Sequence, residues 1–143
     1  MRLTVDAPAD PEAYPYRHEV RVRFAETDAM GVVHHGAYLP YLEEARVAFL
    51  RAHGHPYSAL RDEGTEFPVL EVYARYERPA VFDEVLVVAL RVAWVRGASF
   101  QIDYLVRVAD GARAAAATVH AVTATGGGLR RAPAWLHTLV DPA

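Results

Sequence analysis

Residues 37–56 read Ala37-Tyr38-Leu39-Pro40-Tyr41-Leu42-Glu43-Glu44-Ala45-Arg46-Val47-Ala48-Phe49-Leu50-Arg51-Ala52-His53-Gly54-His55-Pro56. Tyr38, Tyr41, Leu42, Ala45, Phe49 and Ala52 recur at three- and four-residue spacing and make one apolar stripe, the mark of an amphipathic helix. Val47, Ala48 and Leu50 widen the stripe, which predicts a helix covered on most sides. Proline is tolerated only in a first helical turn, so Pro40 sets the start near Ala37. Gly54 and Pro56 supply the stop. The spacing therefore predicts one long helix from Ala37 to His53.

The flanks alternate instead. From His18 to Phe24, Glu19, Arg21 and Arg23 fall on one face and Val20, Val22 and Phe24 on the other, a half-buried strand. Thr65 to Arg78 reads as extended and ends at Pro79. Asp83 to Val95 is dense in Val and Leu. Between 99 and 108, Phe100, Ile102, Tyr104, Val106 and Val108 alternate with polar residues, and Asp110-Gly111 is a hairpin turn. Ala112 to Thr125 is the last long strand, its small residues suited to a close neighbour. Pro133 to Leu139 reads as a short terminal helix. Residues 1–16, with Pro8, Pro11 and Pro15, form a tail over the surface, and residues 17–143 form a single domain without repeat or linker. Strand, helix, then about four antiparallel strands define an α+β fold, one helix packed on one curved sheet. A sheet apolar on both faces predicts a covering partner, a second copy of the chain.

Composition removes whole classes of function. A chain of 143 residues, 52% apolar and 23% charged, is one ordinary folded domain. There is no Cys, hence no disulfide, thiolate metal site or Cys nucleophile. There is no Lys either; all 15 basic residues are Arg, which excludes a lysine Schiff base and a Walker-A loop. Only Ser58 and Ser99 offer a serine hydroxyl, and neither lies in a nucleophile elbow. A net charge of −3 with scattered Arg argues against nucleic acid. No apolar run approaches the roughly 18–20 residues of a membrane span, and no apolar leader opens the chain, so a cytoplasmic protein is expected.

Chemistry concentrates between Arg21 and Arg46. Asp28 stands on a loop just ahead of the helix start, where free backbone N–H groups make an anion site. A carboxylate beside such donors suits acyl transfer: the donors polarise a carbonyl while the carboxylate attacks or deprotonates water. An Asp in a turn is equally an ordinary turn-capping acid.

This stretch closely resembles the hotdog-fold thioesterases of the 4-hydroxybenzoyl-CoA thioesterase type, especially the bacterial acyl-CoA thioesterase branch associated with the Tol-Pal system. The motifs that carry the resemblance are Glu26-Thr27-Asp28, Gly31-Val32-Val33, His34-His35, Tyr38-Leu39 and Glu44-Ala45-Arg46. Tyr76 to Glu84 and Arg96-Gly97-Ala98-Ser99 add support, and the likeness runs from about residue 17 to 125. It implies a hotdog fold, a five-stranded antiparallel sheet wrapped around the long helix, with sites at a dimer interface and often a tetramer. It implies Asp28 as the catalytic carboxylate and the backbone N–H near His35 as the carbonyl's donor. The His35 ring itself reads either as a general acid for the leaving thiolate or the group orienting Asp28, or as a plain hydrogen-bonding group at the helix start. Gly31, Val33, His34, Gly36 and Tyr38 are placed around the substrate, and Arg96 is assigned to the coenzyme A phosphates. Two departures stand out: His34 occupies a place more often aromatic, and Met30 precedes Gly31 where a small residue is common.

The resemblance implies an acyl-CoA thioesterase that releases a carboxylic acid and coenzyme A, with no cofactor and no metal. His34, His35, His53 and His55 show no familiar ligand spacing. The rival readings are a non-catalytic oligomer that holds acyl-CoA or an acyl carrier protein, and a hydratase, for which the helix lacks a His-x-x-x-acid pair. Glu43 and Glu44 are the alternative carboxylates, because related subfamilies carry theirs on the helix.

Overall fold

A computed structural model describes residues 7–140, so the first six residues of the expected tail lie outside the described residues. Strand β1 (Tyr16–Arg21) leads through a long loop to helix α1 (Tyr38–Ala52) and a short α2 (Tyr57–Asp62). There follow β2 (Thr65–Glu66), β3 (Val69–Tyr76), β4 (Val85–Arg96), β5 (Ser99–Val108), β6 (Gly111–Ala121), β7 (Thr123–Ala124) and α3 (Ala134–His137). Five strands form one antiparallel sheet in the order β1-β4-β5-β6-β3, and β2 pairs with β7 apart from it. The α+β arrangement expected from the sequence is the one observed.

The predicted stripe of α1 makes the core. Tyr38, Tyr41, Leu42, Ala45, Phe49 and Leu50 are buried against Leu86, Val88 and Leu90 of β4 and Phe100, Ile102 and Tyr104 of β5. The helix ends in a Schellman motif: His55 N–H donates to the Leu50 carbonyl (2.8 Å) and Gly54 N–H to that of Arg51 (3.1 Å). Gly54 sits at φ +82°, which a side chain would strain.

Three expectations need correction. Phe24 leaves the strand: Phe24–Glu26 form a 3₁₀ turn, and the ring stands 77% exposed, edge-on to Phe82. The extended run from Thr65 is two strands, because Pro68 has no N–H to extend a ladder and the chain changes partner there, from β7 to β6. The helix is not covered on most sides within one chain. The sheet packs on one side only, leaving Leu39, Pro40, Glu43, Glu44, Arg51 and Ala52 exposed.

Part of the tail is tied down. Tyr14 is buried on the sheet face opposite α1, against Ala89 and Leu105, and its hydroxyl donates to the Pro8 carbonyl at 2.6 Å. The Arg91 guanidinium lies over its ring, 5.9 Å from the centroid.

A polar chain crosses the core between α1 and the sheet. The His120 ring has Nδ1 3.0 Å from the Phe67 carbonyl, so Nδ1 carries the proton and, in the neutral ring, Nε2 accepts. Thr118 Oγ1 then donates to Nε2 (2.8 Å), the Tyr104 hydroxyl donates to Thr118 (2.7 Å), and Arg46 Nη1 donates to Tyr104 (3.1 Å). Every link points the same way, from the Arg46 charge to the Phe67 carbonyl. Burial above all, and then the Arg46 charge, push His120 down to about 4 against a pull upward from the Phe67 bond. Below about pH 6.5 the unfolded chain binds a proton at residue 120 that the folded chain refuses until about pH 4. His120 should therefore take away stability as pH falls through that window, at about 1.4 kcal/mol per pH unit. Urea unfolding between pH 7 and 4.5 should show a steeper loss for the natural chain than for His120→Gln.

Candidate active site

The loop between β1 and α1 is built by accounting for its backbone. Glu26 pins it at the near end. Its carboxylate accepts the Arg23 N–H (2.8 Å) and the Tyr41 hydroxyl of α1 (2.8 Å), and pairs with the Arg23 guanidinium (2.8 Å). Burial raises this carboxyl, but those hydrogen bonds and the Arg23 charge outweigh it and hold the group below the usual carboxylate range. The Glu26 carbonyl in turn accepts the His34 N–H at 2.8 Å. A short bridge joins Thr27 to Val33, and the Val33 N–H reaches the Ala80 carbonyl (2.8 Å), tying the loop to the segment after β3.

Asp28 heads the tight turn inside this loop. Its N–H donates to the Val32 carbonyl, and its own carbonyl accepts the Gly31 N–H, each at 2.9 Å. Its Oδ1 accepts the Met30 N–H (2.9 Å) and, at longer range, that of Val32 (3.5 Å). No hydrogen bond to Oδ2 forms among the described residues. One oxygen of the carboxylate thus builds the turn and the other is left open. Gly31 closes the turn at φ +80°.

The amides after the turn are nearly all spent. His34 Nδ1 accepts the Gly36 N–H (3.0 Å), and the His34 carbonyl accepts that of Ala37 (2.9 Å), so His34 caps the 3₁₀ turn His35–Ala37 that opens α1. A Cβ on Gly36 would meet the His34 ring at 3.2 Å, which is why a glycine fits there. From Met30 to Tyr38, the His35 N–H alone is without a hydrogen bond among the described residues. Its own carbonyl is held by the Tyr76 hydroxyl at 2.9 Å, which fixes the orientation of the adjoining backbone.

Asp28 and His35 line one cleft of about 330 Å³ with Met30, Val33, Tyr38, Tyr76 and Arg78. That volume is within the range of small-molecule sites. Of the residues assigned from the sequence, Val33 and Tyr38 share this cleft, Gly31 shapes the turn beside it, and His34 and Gly36 make the cap. Arg96 is not brought to it within one chain. It ends β4 opposite Ser99, at the far end of the sheet, with its guanidinium 4.5 Å from the Trp94 ring centroid. The arginine at the cleft is Arg78, paired with Asp110 at 3.6 Å. Tyr76 and Arg78 both lie in the Tyr76 to Glu84 stretch that supports the family resemblance, which assigns neither of them a role. Glu44 is bonded to His18 (2.6 Å) and Glu43 lines a different groove. A larger cleft of about 620 Å³ lies under α2, lined by Tyr57, Ser58, Arg61 and Phe67, and holds none of the candidates. His53 donates to the Phe49 carbonyl (2.8 Å), and His55 stacks on Trp135 at 3.7 Å. No group of three or more potential metal ligands is gathered among the described residues.

An antiparallel sheet packed on one long helix, with an open carboxylate oxygen and a spare amide in a cleft at the helix start, has the plan of a hotdog-fold thioesterase. Residues 22–137 match the thioesterase-like superfamily, and the chain belongs to that family. A protein of Aquifex aeolicus is 42% identical over 112 residues, which are 78% of this chain and 88% of that one. The acyl-CoA thioester hydrolase YbgC of Escherichia coli is 37% identical over 84 residues, 59% of this chain and 63% of that protein. The crystal structure of a hypothetical protein from Aquifex aeolicus superposes with a TM-score of 0.83 at 38% identity, covering 88% of this chain and 99% of the other.

The turn that presents Asp28 depends on the positive φ of Gly31, where a Cβ meets no neighbour within 4 Å but strains the backbone. Gly31→Ala should lower stability by about 1–2 kcal/mol through that strain alone, read from urea midpoints.

Proposed function

We propose that the chain is a thioester hydrolase that cleaves an acyl-CoA to the free carboxylic acid and coenzyme A. The observation that carries this reading is the pairing, in one cleft, of the open Asp28 oxygen with the unspent His35 N–H. The thioester carbonyl oxygen accepts from the His35 N–H, which steadies the negative charge that gathers there as the carbon becomes tetrahedral. Asp28 either draws the proton from an attacking water or attacks the carbonyl carbon itself, with water then releasing the acid. In both routes the carbon–sulfur bond breaks and the thiolate leaves as coenzyme A, taking its proton from the His35 ring or from water. Val33 and Tyr38 wall the acyl group, and Arg78 is the cation at hand for the coenzyme's phosphates. The reaction written this way calls on no cofactor. The name of the Escherichia coli relative, an acyl-CoA thioester hydrolase, supports the substrate class. The family resemblance supports a cytoplasmic homo-oligomer, a dimer at least and a tetramer in its full form.

Asp28→Asn tests the assignment cleanly. The amide oxygen still accepts from Met30 and Val32, so the turn survives while the charge is lost. Turnover should fall by about 10²–10⁴ with an unchanged unfolding midpoint. Because the chain has no Cys, a thiol reagent reports released coenzyme A alone. A wild-type rate in Asp28→Asn removes Asp28 from the chemistry. Binding without turnover across short, long and aromatic acyl-CoAs would instead make the chain a carrier.

A further inference from the structure

Four charged side chains are linked in a chain beside the Asp28 cleft: Glu84, Arg113, Asp110 and Arg78. Arg113, on β6, has a side chain only 5% exposed and is gripped from two sides. Its Nη2 pairs with Asp110 Oδ1 at 2.9 Å and with Glu84 Oε2 at 3.5 Å. Glu84 uses its other oxygen to accept the Val81 N–H (2.8 Å), and Val81 bridges to Val32 of the Asp28 loop. The Arg113 carbonyl accepts the N–H groups of Glu77 (2.9 Å) and Arg78 (3.3 Å), so the backbone that carries Arg78 is fixed to β6.

The last link differs in kind. Asp110 stands in the turn between β5 and β6, just before Gly111. Arg78 reaches it at long range only: Nη2 lies 3.6 Å from Oδ2, and Nη1 donates to the Asp110 carbonyl at 3.5 Å. Both side chains are more than half exposed, and a pair of this kind adds little stability. The guanidinium has no other polar partner among the described residues. It lies against Gly111, where a Cβ would meet Nη1 at 3.3 Å. Glu77, the other acid that lines the cleft with Asp28, is taken by Arg75 at 2.9 Å.

We propose that Asp110 is both the resting partner of Arg78 and a competitor for it: the phosphates of coenzyme A draw the guanidinium off this carboxylate, and the exchange sets how tightly the coenzyme is held. Arg113 keeps one Asp110 oxygen and leaves the other to Arg78, so the carboxylate stays in place when Arg78 departs. A phosphate accepts from a guanidinium through two parallel bonds and carries more charge than a carboxylate, so it wins the exchange. Substrate and released coenzyme carry the same phosphates. A grip equal in both lowers KM without raising kcat, and it delays release of the product. A carboxylate ready to take Arg78 back holds that grip down. This role for Asp110 rests on the hydrolase reading above, with Arg78 as the cation for the phosphates.

Calorimetric titration with free coenzyme A reads the exchange without turnover. Asp110→Asn keeps an acceptor for Arg113, and Asn-Gly suits the hairpin as well as Asp-Gly does. It should tighten coenzyme A binding about three- to fivefold. Arg78→Gln should weaken binding, and in that background Asp110→Asn should change affinity by less than about 1.5-fold. KM for an acyl-CoA should fall in Asp110→Asn, whereas KM for the phosphate-free acyl-pantetheine should not. Unchanged or weaker coenzyme binding in Asp110→Asn overturns the exchange. So does an equal gain in both backgrounds, or an Arg78→Gln chain that binds coenzyme A like the natural one. Each of these leaves the hydrolase reading intact where the natural chain turns over acyl-CoA. A natural chain that cleaves neither thioester removes that reading, and the titrations still decide the exchange.

Discussion

Everything in the cleft depends on how one loop spends its backbone hydrogen bonds. Buried or crowded amides must find partners, and each partner fixes a piece of chain. From Met30 to Tyr38 the partners are the Asp28 carboxylate and carbonyl, the Ala80 and Glu26 carbonyls, the His34 ring and carbonyl, and the His35 and Gly36 carbonyls. Each bond removes freedom from the loop, and together they leave the His35 N–H unspent. A donor held in place by its neighbours needs little reorganisation when charge develops nearby, and that is what gives such a group its catalytic value.

The loop is clamped from two directions by tyrosines. Tyr41, on α1, holds the Glu26 carboxylate, and Tyr76, at the end of β3, holds the His35 carbonyl. Both hydroxyls sit on regular elements whose positions are set by the core. Burial above all, and then the Glu26 bond, push the Tyr41 hydroxyl well above its ordinary range, so it remains a donor at any working pH. The site is therefore coupled to the helix on one side and to an edge strand on the other.

Much of the fold was legible because periodicity is a direct record of burial. The α1 stripe and the alternation of β4 and β5 follow from which residues face the core. Phe24 was misplaced because alternation alone does not show where a strand ends; the Glu26 side chain, bonding back to the Arg23 N–H, turns the chain at that point. The break at Pro68 carried a signal, the missing N–H, that an extended reading passed over. For Asp28 the turn acid and the site acid were posed as alternatives, yet a carboxylate has two oxygens and the structure uses one in the turn. Arg96 and Arg78 were beyond reach for another reason. Which strand end meets the 28–35 loop depends on the order β1-β4-β5-β6-β3, and alternation says nothing of order.

The polar chain in the core shows the same limit from the other side. Thr118 and His120 lie in step with Ala114 and Ala116, on the face that meets α1. Polar groups on an apolar face demand partners, but the sequence does not name them. The structure supplies Tyr104 and Arg46, and so ties the middle of α1 to the centre of the sheet. Burial first, and then the cation at the head of that chain, keep His120 neutral, and the cation orders the hydroxyls behind it. Those hydrogen bonds answer part of its demand but supply no opposite charge, and the buried Arg46 Nε–H has no partner among the described residues.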